Sequence, residues 1–399
     1  MNYEHNLRLL RDLYDDGRFA NDYYKAIIPS RDFLVSYEEF TKLPFMHKES
    51  LRRYSAYERV ADPRNKWYGI FSSSGSTGER TYYVYSKSDK VIHEKCVRNF
   101  FTEIGITSND LGAILAPVDT TVIAHTMMWQ YTTMGASYVN CPDPTPKNIV
   151  DLVSSLPVTV LSGRPDSLSS VGLSEEFVRK ARASSVRLLL PGGGFLSEMR
   201  RQYLQKIWDA DCYNILGMSE IFGPLAVECK CKNGQHFPSE YVMIEILDPH
   251  TLMPVSDGEI GYAVYTTLWD KGFPLVRYWS DDLMRVETSH CTCGSDNGRL
   301  YFCGRTYDSM KFGNKRIFPI DFENIIMPYG FVMDFKAIID GGSISVKLET
   351  LDTKQKLSTN LLAAINDFFG INCSIELVTP GSLRMMNDHA RHFIGNMEV

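Results

Sequence analysis

The chain has 399 residues, 44% of them hydrophobic and 23% charged, with a formal net charge of -6. That length is too great for one small core and implies a large domain with a smaller one. The acidic balance gives no electrostatic ground for nucleic acid or an anionic membrane as partner, while a local positive pocket for a small polyanion such as ATP stays open.

The opening stretch, MNYEHNLRLLRDLYDDGRF, carries mixed charge and no apolar core of signal-peptide length. No run approaches the roughly 20 apolar residues that span a bilayer, so a cytoplasmic protein is expected. Nine cysteines, odd in number and partly clustered, argue against a disulfide framework and for thiols or a metal. Leu7, Leu10, Leu13 and Tyr14 fall at helical spacing, and Ser36 starts SYEEFTKLP as a helix N-cap. Residues 66–86 read as strand, Ser/Gly loop and strand. Short apolar runs at Leu111–Ala116, Val158–Leu161 and Val186–Leu190, interleaved with helical segments such as Ser197–Trp208, predict an α/β domain with a largely parallel sheet. From about Tyr241 the texture becomes β-rich, in YVMIEILD, GYAVYTT and PLVRYW. After Gly304 a small α+β unit is expected. It comprises a strand-like MKFGNKRIF, a helix from about Ile320, strands at Phe335–Ile339 and Ser343–Lys347, a helix at Leu357–Phe369 and a strand at Ser374–Val378. The boundary is placed between residues 1–305 and 306–399.

Phe71–Arg80 reads FSSSGSTGER. Backbone N–H groups of such a loop, with Ser and Thr hydroxyls, can bind phosphate oxygens. Gly75 and Gly78 permit close approach and positive φ. A plain turn between strands is the alternative. The stretch resembles the Ser/Thr/Gly-rich phosphate loop of the adenylate-forming superfamily, which includes acyl-CoA synthetases, luciferases and peptide-synthetase adenylation domains. LPFMHKESLRRY upstream resembles the leading segment of its phenylacetate–CoA ligase branch. The resemblance implies a large N-terminal adenylate-forming domain and a small mobile α+β C-terminal domain. It also implies that Ser73, Ser74, Gly75, Ser76, Thr77 and Gly78 hold the β- and γ-phosphates of ATP.

Four further segments follow in matching order. PGGGFLSEMRR resembles the turn and helix of the adenine and acyl pocket, which places Gly193 and Gly194 there. NILGMSEIFGP resembles the segment whose carboxylate, here Glu220, meets magnesium, with Gly217, Met218 and Ser219 beside the nucleotide and Leu216 toward the acyl pocket. DGEIGYAVYTTLWDKGFPLVRYWSDDL places Asp282 on the ribose hydroxyls. GRTYDSMKFGNKRIFPIDFEN places Arg305 on ribose or phosphate and Asp308 at the hinge. His125, Met128 and Trp129 are assigned to the acyl pocket from their position alone, and an aryl or other apolar acid suits them.

Cys229, Cys231 and His236 in ECKCKNGQHF, and Cys291 and Cys293 in HCTCG, have the spacing of a structural metal site, with His290 a sixth candidate. Members of the resembled branch carry a Cys/His zinc site here. The layout then best fits Cys229, His236, Cys291 and Cys293 as ligands and leaves Cys231 spare.

One departure bears on chemistry. Where the family's closing lysine falls, this chain has Asp388 and His389. Electrostatic stabilisation of the transition state is often the largest catalytic contribution, so either His389, Arg391, Lys311 or Lys315 replaces the lysine's charge, or the chain adenylates slowly or not at all. Smaller departures are Leu216 for tyrosine, Asp281 for the glycine before the ribose aspartate, and Asn314 for the glycine after the hinge. The expected function is magnesium- and ATP-dependent conversion of a carboxylic acid to its acyl-adenylate. The acyl group then passes to CoA or an acyl or peptidyl carrier protein. A degenerate nucleotide-binding member and a ligase that acylates its own Cys373 are the rivals. Family habit implies a homodimer.

Overall fold

The structure, a computed structural model, describes residues 3–73, 80–312, 315–329, 332, 334–340, 343–350, 359–380, 382–383 and 392–394. Its contacts divide the chain into two compact units. The first comprises residues 1–110, 117–138 and 213–302; the second comprises residues 111–116, 139–212 and 303–399.

The first unit opens with the helix Tyr3–Asp15, which buries Leu7 and Leu10 as the helical spacing requires. Ser36 caps the single turn Tyr37–Phe40 by accepting from the Glu39 amide. The strands Trp67–Ser72 and Tyr82–Ser86 pair antiparallel and flank the Ser/Gly loop, which lies outside the described residues. Ser86 and Asp89 form a reciprocal cap that starts the helix Lys87–Glu103. A seven-stranded sheet runs in the order Val242–Leu247, Gly261–Thr267, Tyr278–Glu287, Arg299–Arg305, Gln235–His236, Phe222–Glu228, Ile215–Met218.

Two expectations change in this unit. The sheet begins at Ile215, well before the change of texture at Tyr241, because Gly217 and the Gly223–Pro224 pair make two strands read as a loop. PLVRYW is not strand throughout, and the strand starts at Tyr278. Arg277 adopts φ 47°. Its buried guanidinium bonds Glu245 (3.3 Å) and the Leu43 carbonyl (3.1 Å), so side-chain bonding overrides β propensity there.

In the second unit, parallel ladders join Leu111–Leu115 to Val160–Gly163, then to Leu188–Pro191, then to Asp211–Cys212. Their continuous apolar runs are those of strands covered on both faces. The helix Glu198–Trp208 is capped by Ser197 and buries Leu204, Ile207 and Trp208 in this core. The later part holds a four-stranded sheet ordered Ser374–Val378, Ser343–Glu349, Asp334–Asp340, Phe393–Ile394. Helices Pro319–Ile326 and Thr359–Phe369 cover it, with Phe322, Ile326, Leu361, Ile365 and Phe369 in one core. MKFGNKRIF is a hairpin rather than one strand: Met310–Phe312 pairs antiparallel with Lys315–Ile317. Gly313–Asn314 between them is a turn-type dipeptide.

Candidate active site

The strands Ile215–Met218 and Phe222–Glu228 are joined by a tight turn closed by Ile221 N to Met218 O (3.0 Å). Glu220 sits at its tip, 7% exposed. The phenols of Tyr83 (2.8 Å) and Tyr278 (3.1 Å) both donate to its Oε1. Burial, then the Glu220 charge, pushes both phenols far up, so they remain protonated donors. Among the described residues no bond reaches Oε2. The Lys48 ammonium stands 3.9 Å from Oε1. Tyr85 donates to the Ser219 carbonyl (2.9 Å) and buried Lys271 to that of Ile221 (3.2 Å). The turn is therefore gripped on its backbone and on its carboxylate. One carboxylate oxygen is pinned and the other is left for a ligand that prefers hard oxygen, as magnesium does.

Beside the Ser/Gly loop, Ser73 and Thr81 exchange bonds: Ser73 N to Thr81 O (2.9 Å) and Thr81 N to Ser73 Oγ (3.1 Å). Arg80 Nη1 donates to Thr120 Oγ1 (2.5 Å) and to Ser72 Oγ (3.2 Å). These bonds close the base of the loop. Ser74, Gly75, Ser76, Thr77 and Gly78 lie outside the described residues, as do Asp388, His389 and Arg391.

The helix Val122–Thr133 carries His125, Met128 and Trp129 on its half-buried side. Trp129 packs edge-on against Tyr68 (4.9 Å) and Phe71 (5.5 Å), and Phe71 touches His125 (5.1 Å). Leu216 lies on the strand opposite Ala226. Asp282 is buried in the strand Tyr278–Glu287, its amide bonded to Ser280 Oγ (3.2 Å). Asp281 before it takes φ 64°, so an aspartate adopts the left-handed conformation where the resembled family has glycine.

In the second unit, Gly193 takes φ 73°, and its carbonyl accepts from Arg164 (2.9 Å). Gly194 packs beside the Pro165 ring. Arg305 reaches the Tyr307 hydroxyl (2.6 Å), and Lys311 lies in the strand Met310–Phe312. Asp308 accepts from the His392 amide (2.6 Å), the His392 ring (2.9 Å) and the Phe393 amide (3.2 Å). Burial alone would lower the His392 pKa, but the Asp308 and Asp334 carboxylates raise it to about 10.

The metal candidates divide cleanly. One ligand atom from each of Cys229, His236, Cys291 and Cys293 lies within 4.8 Å of the others. Cys229 and Cys291 sulfurs are 3.8 Å apart, close to the roughly 3.8 Å of a tetrahedral zinc–thiolate pair. The Cys231 and Ser295 amides, each at 3.4 Å, point at the Cys229 and Cys293 sulfurs, an arrangement that suits thiolates. His236 Nδ1 donates to the Asn297 carbonyl (2.8 Å), turning Nε2 toward Cys293 (3.3 Å). Cys231 Sγ pairs with Thr292 instead, and His290 is exposed beside Asp296.

Lys48, Lys271, Tyr278 and His392 fall in segments that sequence reasoning matched to the family, and Tyr83 in a predicted strand, but none of them was given a role. Only their motifs could have pointed to them, since pinning an acid from distant strands leaves no local pattern.

Residues 26–267 match the family model for AMP-binding enzymes, and the chain belongs to that family. Phenylacetate-coenzyme A ligase of Thermus thermophilus is 24% identical over 376 residues, covering 86% of this chain and 84% of the relative. The Pseudomonas putida enzyme of the same name is 23% identical over 402 residues, covering 96% and 90%. The chain thus lies on the phenylacetate–CoA ligase-like branch and is an acid–thiol ligase by class. Among solved structures, a 2-hydroxyisobutyryl-CoA ligase in its postadenylation state shares the fold with a TM-score of 0.80 at 17% identity, over 98% of this chain and 88% of that one. An anthranilate CoA ligase bound to anthranoyl-AMP gives 0.61 at 17% identity, over 80% and 64%.

Proposed function

We propose that the protein uses ATP and magnesium to activate an aryl or other apolar carboxylic acid as its acyl-adenylate and passes the acyl group to a thiol, that of CoA before that of a carrier protein. The observation that carries this reading is the buried Glu220 carboxylate, pinned through one oxygen by two phenols. In the first half-reaction a carboxylate oxygen of the acid bonds to the α-phosphorus, and the bond to the bridging oxygen of pyrophosphate breaks. In the second, the thiol sulfur bonds to the acyl carbon and AMP leaves. Neither step needs a protein nucleophile, so positioning and charge do the work.

Magnesium, when bound, would neutralise phosphate charge, and Glu220 would hold it through Oε2. Asp282 and Arg305 would hold the ribose, Ser73 to Gly78 the phosphates, and residues 306–399 would act as the small mobile domain. Names of the relatives and neighbours point to aryl acids and, in one case, a small hydroxy acid. The donor set Cys229, His236, Cys291 and Cys293 fits zinc, which would be structural.

The missing family lysine favours a second reading, in which the chain binds nucleotide and adenylates poorly. Lys48 beside Glu220 supplies a cation to the site and tells against complete loss. Transfer to Cys373 is disfavoured, since burial pushes that thiol up to about 11. Carboxylate-dependent ATP–pyrophosphate exchange across aryl, fatty and amino acids decides between the readings. Exchange with one acid class, lowered about 100-fold or more by Glu220→Gln, is expected. Nucleotide binding without exchange would establish the second reading.

A further inference from the structure

His93 lies on the buried face of the helix Lys87–Glu103 at 1% exposure. Its Nε2 is 2.7 Å from the Gly223 carbonyl oxygen. A carbonyl can only accept, so Nε2 carries a proton and donates it. Trp129 (5.7 Å) and Phe222 (5.8 Å) wall the ring edge-on. Burial in this apolar surround lowers the imidazole to about 4, which leaves Nδ1 as a bare lone pair at neutral pH. Nδ1 is buried and has no hydrogen-bond partner among the described residues.

A buried acceptor without a donor is destabilising, and an apolar side chain would fill the same slot without that cost. The neighbourhood says what the donor belongs to. Gly223, which anchors the ring, packs its Cα against that of Gly217, the glycine three residues before Glu220. Trp129, which covers the ring, continues into the aromatic cluster of Tyr68, Phe71 and His125. The His93 ring therefore lies between the turn that carries Glu220 and the aromatic cluster around Trp129.

We propose that His93 Nδ1 is the polar specificity determinant of the acyl site, accepting a hydrogen bond from an O–H or N–H group on the acid. The substrate class is then a hydroxy- or amino-substituted apolar acid rather than its unsubstituted counterpart. This inference rests on the acyl-adenylating reading of the same site.

The test compares matched acids in ATP–pyrophosphate exchange: benzoate with the hydroxy- and aminobenzoates, and phenylacetate with the hydroxyphenylacetates. The donor-bearing member of at least one pair should be preferred in kcat/KM on the order of ten- to a hundredfold. His93→Leu should bring that ratio near one by loss of the donor-bearing acid, and His93→Phe should do the same while keeping an aromatic ring. Both acids are read on the same preparation, so a partly folded variant leaves the ratio intact. A wild-type ratio near one in every pair would overturn the proposal, as would a ratio that survives both variants; either result means that Nδ1 meets a water or nothing. Failure of all acids to exchange would remove the parent reading instead. The ¹⁵N resonance of His93 Nδ1 then decides: a shift with a hydroxy acid and none with its bare counterpart supports the assignment, and no shift with either overturns it.

Discussion

Glu220 shows how one side chain acquires a role from its surroundings. In the sequence it is one acid in a short motif; in the fold, Tyr83, Tyr278 and Lys48 converge on one of its oxygens from three separate stretches of chain. His392 is a second case, invisible locally because its partners, Asp308 and Asp334, lie more than 50 positions away. Its folded pKa, raised to about 10, exceeds its unfolded value, so the stabilisation is complete below the unfolded pKa and is lost as pH rises through the folded one. His392→Gln should therefore cost roughly 3 kcal/mol near pH 6 and little above pH 10. Urea denaturation of both proteins at the two pH values measures this, and a difference independent of pH would refute the ion-pair assignment.

Among elements, the helices Glu198–Trp208 and Pro319–Ile326 are tied by a pair whose side chains are 5% and 1% exposed, Arg200 and Glu323. Glu323 also accepts from the Ser197 amide (3.3 Å), so one carboxylate serves both the cap of one helix and the pairing of two. Removing the acid deprives a buried guanidinium of its nearest carboxylate. Glu323→Ala should destabilise by about 3–5 kcal/mol, while adding Arg200→Met should recover a large part of that loss. Chemical denaturation of the single and double variants gives the answer, and equal losses would show that the pair is not coupled. The helices at Ser36 and Ser197 were legible because caps and apolar spacing are local signals, whereas the one that Ser86 caps was not read. Strand limits at Ile215 and Tyr278 were not, because a glycine-rich turn and an inward-turned arginine break the alternation on which strand reading depends.

For the whole molecule, the Cys/His cluster is the feature whose removal reaches furthest. It links the stretch around Cys229–His236 to that around Cys291–Cys293 across a large part of the first unit. Metal analysis should find one zinc per chain. Stripping it with a chelator at neutral pH, or Cys291→Ser, should lower the unfolding free energy by at least roughly 3 kcal/mol. Cys231→Ser should retain the metal, since that thiol faces Thr292. A metal-free protein of unchanged stability would leave the four residues as a cluster of thiols and a histidine.

By itself the sequence determined the family, the order of its motifs, the α/β and α+β character of the chain and a set of six Cys/His candidates for a metal, narrowed to four only by the resemblance. Each is carried by short segments whose spacing is readable along one dimension. Tertiary structure decided that four of the six Cys/His candidates converge, how Glu220 is gripped, that Asp281 takes the conformation of a glycine, and that His93 Nδ1 has no partner among the described residues. The reason is physical: burial and hydrogen-bond satisfaction are properties of a residue's neighbours in space, and most of those neighbours are distant in the chain.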